Sequence, residues 1–279
     1  MRKMKISYYL GVAALTVGSM VFMAACHKKD TNTATEDTGY ASDHMLAEKS
    51  YSDVQSITDQ AANTASGSTL SYRLTSSACA TVTHTGDSII VDFSSTDCLC
   101  NDGRTRRGKI ICVYTGGAYA DSGSVHYITF DNYYQDDNNI AGTKTVTNLG
   151  HNSAGQPIFN VVIAGTITKA SGGVITANWT RLRTWTAGYL TPTDHTDDAY
   201  SISGTGTIVR ATGATVAVSI PTTAPLQVAY GCRWIEAGTI NYTLPSGLTR
   251  SINFGNTPVC NNTATITLPS GATYNITMP

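Results

Sequence analysis

One hairpin, written several times along the chain, limits what this sequence can fold into more than any other feature. Four-residue phrases ending in Gly-Thr occur as Ile163-Ala164-Gly165-Thr166, Ile202-Ser203-Gly204-Thr205 and Glu236-Ala237-Gly238-Thr239, with a weaker copy at Ile140-Ala141-Gly142-Thr143. Each of the first three is followed, eight or nine residues on, by a turn glycine (Gly173, Gly213, Gly247) and a second alternating run. Centring the last copy on Ser246 sets Ile240 against Ile252, Tyr242 against Arg250 and Leu244 against Leu248. Its other face pairs Thr239 with Asn253, Asn241 with Ser251 and Thr243 with Thr249. One face is largely apolar and the other polar, as a half-buried antiparallel pair requires, and a slip of one residue would mix them. Gly238 then lies opposite Phe254, so a ring covers the bare backbone of a strand glycine. Centred on Thr212, the middle copy sets Ile208 against Val216 and Gly204 against Ile220. Centred on Ser171, the Gly165 copy sets Ile167 against Ile175 and Ile163 against Trp179.

The expected fold class is all-β: an antiparallel meander of repeated hairpins over residues 68–279, as a β-sandwich or a strongly curved sheet. A period of about 35 residues also allows a solenoid-like stack, and the uneven spacings of 39 and then 34 residues between copies count against it. One helix is expected before it, over residues 42–64. Ser42 and Asp43 are candidate caps, and Leu46, Val54, Ile57 and Ala61 recur at roughly helical spacing, which predicts an amphipathic element. Residues 26–41 are polar and rich in Thr, Asn and Asp, which suits a flexible tether. Hydrophobic residues make up 41% of the chain, enough for a packed core. Only 13% are charged and the net charge is −1, which excludes a dedicated nucleic-acid binder.

The N-terminus reads as an export signal over residues 1–25: Arg2, Lys3 and Lys5, then an apolar and small-residue run ending in Met23-Ala24-Ala25-Cys26. The residues before Cys26 resemble the lipobox of bacterial lipoproteins. That resemblance implies cleavage before Cys26, acylation of its sulfur and a membrane held as partner through the anchor. Together with the polar tether, the Thr-rich strands and phrases such as Ile128-Thr129-Phe130-Asp131-Asn132-Tyr133-Tyr134, the chain resembles function-unknown envelope lipoproteins of the Bacteroidota type. The resemblance implies an envelope location at the outer membrane and carries no catalytic residues; His27-Lys28-Lys29-Asp30 after Cys26 lack the acidic run associated with surface export in that group, which favours the periplasmic face.

An oxidising compartment makes disulfides the first reading of the other six cysteines. The last hairpin's register places Cys232 opposite Cys260. Val91-Asp92-Phe93 with Cys100-Asn101-Asp102 parallels Ile252-Asn253-Phe254 with Cys260-Asn261-Asn262, and by that internal analogy Cys79 pairs with Cys100 and Cys98 with Cys112. A metal reading of Cys98-x-Cys100 with Cys112 lacks the usual zinc spacing and a nearby His.

Two arginine-bearing stretches are candidate ligand contacts. Trp179, Arg181, Arg183 and Trp185 alternate on one strand face, where guanidinium and indole groups can grip a glycan or an anionic polymer. Trp179 shares the core parity, so Arg stems packing on rings is the preferred reading. Arg104, Arg106 and Arg107 follow an Asn-Asp-Gly turn, and standing at a sheet edge to discourage aggregation is preferred over phosphate or carboxylate binding. The acidic clusters at 131–139 and 194–198 offer oxygens to calcium but fit no EF-hand, and read as solvated turns. No catalytic motif, metal site or cofactor is indicated. The leading expectation is a membrane-anchored, non-enzymatic binding or structural module with a glycan or an envelope protein as partner. Its alternatives are a periplasmic carrier of a lipid or other apolar ligand, and a glycan-directed enzyme with unrecognised carboxylates.

Overall fold

The computed structural model describes residues 31–64, 79–100, 102–191, 194–210 and 212–278. The signal segment 1–25, the lipidation candidate Cys26 and the turn residue Asn101 lie outside them. One helix, α1 (Thr31–Ala62), precedes fifteen strands. These are β1 (Thr81–Thr85), β2 (Ser88–Asp92), β3 (Cys98–Leu99), β4 (Thr105–Thr115), β5 (Val125–Gln135), β6 (Asn138–His151), β7 (Pro157–Thr168), β8 (Val174–Ala187), β9 (Ala199–Val209), β10 (Thr215–Ile220), β11 (Leu226–Ala229), β12 (Thr239–Thr243), β13 (Thr249–Asn253), β14 (Thr263–Thr267) and β15 (Thr273–Thr277).

The strands form one antiparallel sheet whose order follows the chain, with β3 set beside β4 and β11 beside β9 off the main path. β1 and β15 are its two ends, and the sheet does not close into a barrel. The repeated hairpins have the register that their apolar alternation dictates. Ile240 faces Ile252 and Tyr242 faces Arg250; Ile208 faces Val216 and Gly204 faces Ile220; Ile167 faces Ile175 and Ile163 faces Trp179.

Among the described residues no second sheet covers the apolar face. The sheet curls, and α1 lies in the hollow. Strands from opposite parts of the meander reach it: His84 of β1 bonds the Ala61 carbonyl, Lys144 of β6 the Tyr51 carbonyl, and Arg181 of β8 the Glu48 carboxylate. The repeat glycine Gly165 has its reason here. The Tyr51 hydroxyl occupies the space where a Cβ on Gly165 would project, and it donates to the carbonyls of Ala141 at 3.1 Å and Thr166 at 3.4 Å.

Two expectations for the N-terminal region are corrected. The helix begins at Thr31 rather than residue 42, so it takes in most of the segment read as a tether. Ser42 and Asp43 lie inside it rather than capping it, and Asp43 bridges Lys169 and Arg210. Nor is the helix apolar on one stripe alone. Tyr40, Met45, Val54, Ile57 and Ala61 are buried, but so are His44, Glu48, Lys49, Asp53, Gln55 and Thr58. A helix polar on several faces is buried only where its charges meet partners. Those partners include Arg104 and Arg106 for Asp53, Arg181 for Glu48 and Arg183 for Asp59, and Arg106, Arg181 and Arg183 take inward positions on β4 and β8.

Candidate functional site

The Arg104–Arg107 stretch is corrected from edge to interior. β4 lies between β5 on one side and β2 and β3 on the other, and Arg106, flanked by β3 and β5, is fully buried. Arg106 forms a two-pronged pair with Asp102, at 2.9 and 2.7 Å. Arg104 reaches Asp53 of α1 at 3.2 Å and Asp136 at 2.7 Å. Only Arg107 faces outward, between Asp97 and Asp137 and over the Tyr134 ring. The acidic turn at 136–137 therefore holds arginines, and the metal reading of the cysteines fails because Cys98 is already bonded.

That bond joins Cys79 to Cys98, correcting the expected Cys79–Cys100 and Cys98–Cys112 pairs, while Cys232 joins Cys260. Cys98 and Cys100 share strand parity, so alternation could not separate them. The turn after Cys100 decides. Its backbone bonds, Cys100 N–H to Arg104 O and Gly103 N–H to Cys100 O, leave the Cys100 thiol buried beside Arg106. Cys112 faces Ile89 and Ile128 across β4, and burial, with Asp59 nearby, pushes its thiol up to about 12.

The Trp-Arg stripe points inward along its length. Arg181 grips Glu48 through Nε (3.2 Å to both oxygens) and Nη2 (2.9 Å), with its guanidinium over the Trp179 ring. Arg183 donates from Nη1 to Asp59 at 3.0 Å and lies over the Tyr200 ring, 3.4 Å from its centroid. Trp185 donates to Asp198 at 3.0 Å.

Arg183 and Trp185 border a largely apolar cavity of about 210 Å³, open to solvent at one side, at the C-terminal end of α1. The β4–β5, β6–β7 and β8–β9 connections form its mouth. Its walls are aromatic: Tyr119, Phe159, Trp185 and Tyr200. Its polar groups are Asp59, Arg183, His126, His151 and His195. Asp59 accepts from Arg183, from the Tyr119 hydroxyl at 2.9 Å and from Gln55 at 2.7 Å. Asp198 accepts from Trp185, from the Tyr200 hydroxyl and from His195 Nδ1 at 3.0 Å. The bond to Asp198 raises the His195 pKa. His126 stacks on Tyr119 and bonds its carbonyl through Nε2 at 2.8 Å, while burial lowers its pKa and its Nδ1 has no hydrogen-bond partner. Sequence reading noted Arg183, Trp185 and the 194–198 cluster separately. It missed Asp59, Tyr119, His126 and Phe159, because hairpin ends far apart in the chain meet only when the sheet curls.

A second cavity, of about 190 Å³, lies beside Met45, Leu46, Arg104, Trp234 and Ile235. Among the described residues the grouping with metal-ligand spacing is Cys232, Glu236 and Cys260, whose two thiols are joined to each other. No helix of the described residues is long and apolar enough to cross a membrane. No family model matches the chain, and no curated protein or solved structure is similar to it.

Lys144 shows what the hollow does to a charge. Burial, aided by Arg183, lowers its pKa to about 7, against the pull of Asp59, Glu48 and Asp53. The unfolded chain, with the ordinary value of 10.5, then binds more protons than the folded one above about pH 7, so stability rises with pH there. The unfolding free energy of the wild type is expected to climb from about pH 7 to 9 relative to Lys144→Met. Parallel pH profiles of the two proteins in denaturant titrations would contradict this.

Proposed function

We propose that this chain is a lipid-anchored protein of the cell envelope whose β domain is a non-enzymatic binding module, with a ring-sized ligand such as a single sugar unit as its cargo. The observation that carries the reading is the cavity at the end of α1, with four aromatic walls facing a fixed set of polar groups. Aromatic faces stack on apolar ring faces, and the Arg183–Asp59 pair and the histidines supply directional hydrogen bonds. A space of about 150 Å³ is known to hold a benzene ring, so about 210 Å³ suits one ring rather than an acyl chain.

The two alternatives are less well supported. A lipid carrier needs the sheet's apolar face open, and α1 occupies it. A glycan-cleaving enzyme needs a carboxyl free to move a proton, whereas Asp59 and Asp198 each already accept three hydrogen bonds. Support for the anchor is the sequence Met23-Ala24-Ala25-Cys26 behind its basic start and apolar run.

Two measurements test the reading. Neutral and acidic monosaccharides, titrated by calorimetry, are expected to bind saturably, and Phe159→Ala to weaken binding at least about tenfold by removing one wall. Phe159 is only part-buried, so the fold survives the change. Absence of saturable binding across such a panel, or equal affinity in the variant, would sink the binding site. Separately, Cys26→Ser is expected to move the protein from the membrane to the soluble fraction, and unchanged fractionation would refute the anchor.

A further inference from the structure

A second, smaller space lies in the middle of the hollow, between α1 and strands β6–β9. It measures about 20 Å³ and is lined by Glu48, Gln55, Lys144, Trp179, Arg181 and Arg183, among others. One water-sized group needs about 10–15 Å³, so this space admits a single monatomic or water-sized occupant.

The chemistry of the lining is lopsided. Trp179 Nε1 and both Nε and Nη2 of Arg183 are buried N–H donors with no hydrogen-bond partner among the described residues. Nε and Nη2 form the side edge of the guanidinium, the edge that grips an acceptor with two parallel bonds. Both side chains are only 4% exposed. Lys144 adds an ammonium that is likewise buried and donates to the Tyr51 carbonyl at 2.6 Å. On the acceptor side, Gln55 Oε1 is the unpartnered atom. The Glu48 carboxylate is already taken by Arg181 and His44.

Charge counting points the same way. Arg181 is balanced by Glu48 and Arg183 by Asp59, which leaves the Lys144 cation over. A buried donor left without an acceptor is costly, so three of them on residues lining one space call for an occupant. A water accepts from two of the three N–H groups and donates to Gln55 Oε1; a halide accepts from all three and also offsets the Lys144 charge, which a neutral water does not.

We propose that this space is a binding site for one buried halide ion, chloride or bromide, held by Trp179, the side edge of Arg183 and Lys144. The ion locks α1 into the sheet by neutralising the hollow's excess cation. The site is separate from the aromatic cavity, although Arg183 borders both, and it stands whether or not that cavity binds a sugar.

Crystals of the wild-type protein grown in sodium bromide test it directly. An anomalous difference peak is expected within hydrogen-bonding reach of Trp179 Nε1 and Arg183. A peakless cavity holding ordinary water density overturns the proposal. In solution at constant ionic strength, with gluconate replacing chloride, the melting temperature is expected to rise about 3–6 °C for each tenfold increase in chloride above its Kd. Lys144→Met keeps the side chain's bulk and should flatten that dependence. Lys144 faces Arg183 on β8 and Glu48, Asp53 and Asp59 on α1, and it loses its proton near pH 7. The chloride effect is therefore expected to be steeper at pH 6 than at pH 9. A melting temperature indifferent to chloride at both pH values would overturn the proposal as surely as the missing peak.

Discussion

Glu48→Ala is expected to lower stability by about 3–5 kcal/mol, because it strands the Arg181 guanidinium inside the hollow. Arg181 is 2% exposed, and among the described residues Glu48 is the carboxylate bonded to it. Breaking one partner of a buried pair costs more than removing both, so Glu48→Leu combined with Arg181→Met should recover most of the loss. A single variant that melts with the wild type, or a double variant no better than the single, would show that the pair does not hold the helix. The same carboxylate sets an acid limit. Burial raises its pKa, but Arg181 and His44 outweigh that and hold it at about 2, against an ordinary 4.5. Because the folded value is the lower, the contribution is complete above about pH 4.5 and is lost as pH falls toward 2. At 1.36 kcal/mol per unit it amounts to about 3 kcal/mol. The acid unfolding of the wild type should therefore be steeper below about pH 4.5 than that of the double variant.

The second large effect is expected at the Cys232–Cys260 bond, which closes a loop with a sequence separation of 28. Chain-entropy arguments give such a loop about 3–4 kcal/mol. Replacing both cysteines with Ala should lower the melting temperature by on the order of 10 °C while leaving the far-UV strand signal unchanged. Peptide mapping without reductant should recover Cys232 joined to Cys260 and Cys79 to Cys98. Recovery of Cys232 with any other cysteine would show the C-terminal chain path to be wrong. The bond lies outside the paired part of the hairpin, whose ladder runs from Thr239 to Thr243 against Thr249 to Asn253. The register argument thus chose the right partner by extending a ladder beyond its end. What brings the two sulfurs together there is a loop contact, Val259 N–H on the Glu236 carbonyl.

The arginines show where reading the chain failed. Arg104 and Arg106 follow an Asn-Asp-Gly turn, and nothing local separates an edge strand from an inner one. At Arg106, β4 became interior because β3 and β5 pair on its two sides, and the charges became buried because Asp53 and Asp102 meet them. The helix misled for the same reason. Its polar residues suggested a solvent face, yet Asp43, Glu48, Asp53 and Asp59 each answer a cation carried by a strand or a turn of the β domain, far away in sequence.

By itself the sequence determined the all-β class, the single helix, the order and register of the repeated hairpins and the Cys232–Cys260 pair. These follow from alternation, turn residues and short spacings, which act between neighbours in the chain. Only the tertiary structure decided that the sheet would curl around the helix instead of meeting a second sheet. The same curling decided which arginines would be buried, that Cys98 rather than Cys100 would take Cys79, and that three hairpin ends would enclose an aromatic cavity with Asp59. Those outcomes depend on charges and rings paired across long separations, where the gain from contact appears only after the sheet has closed on its helix.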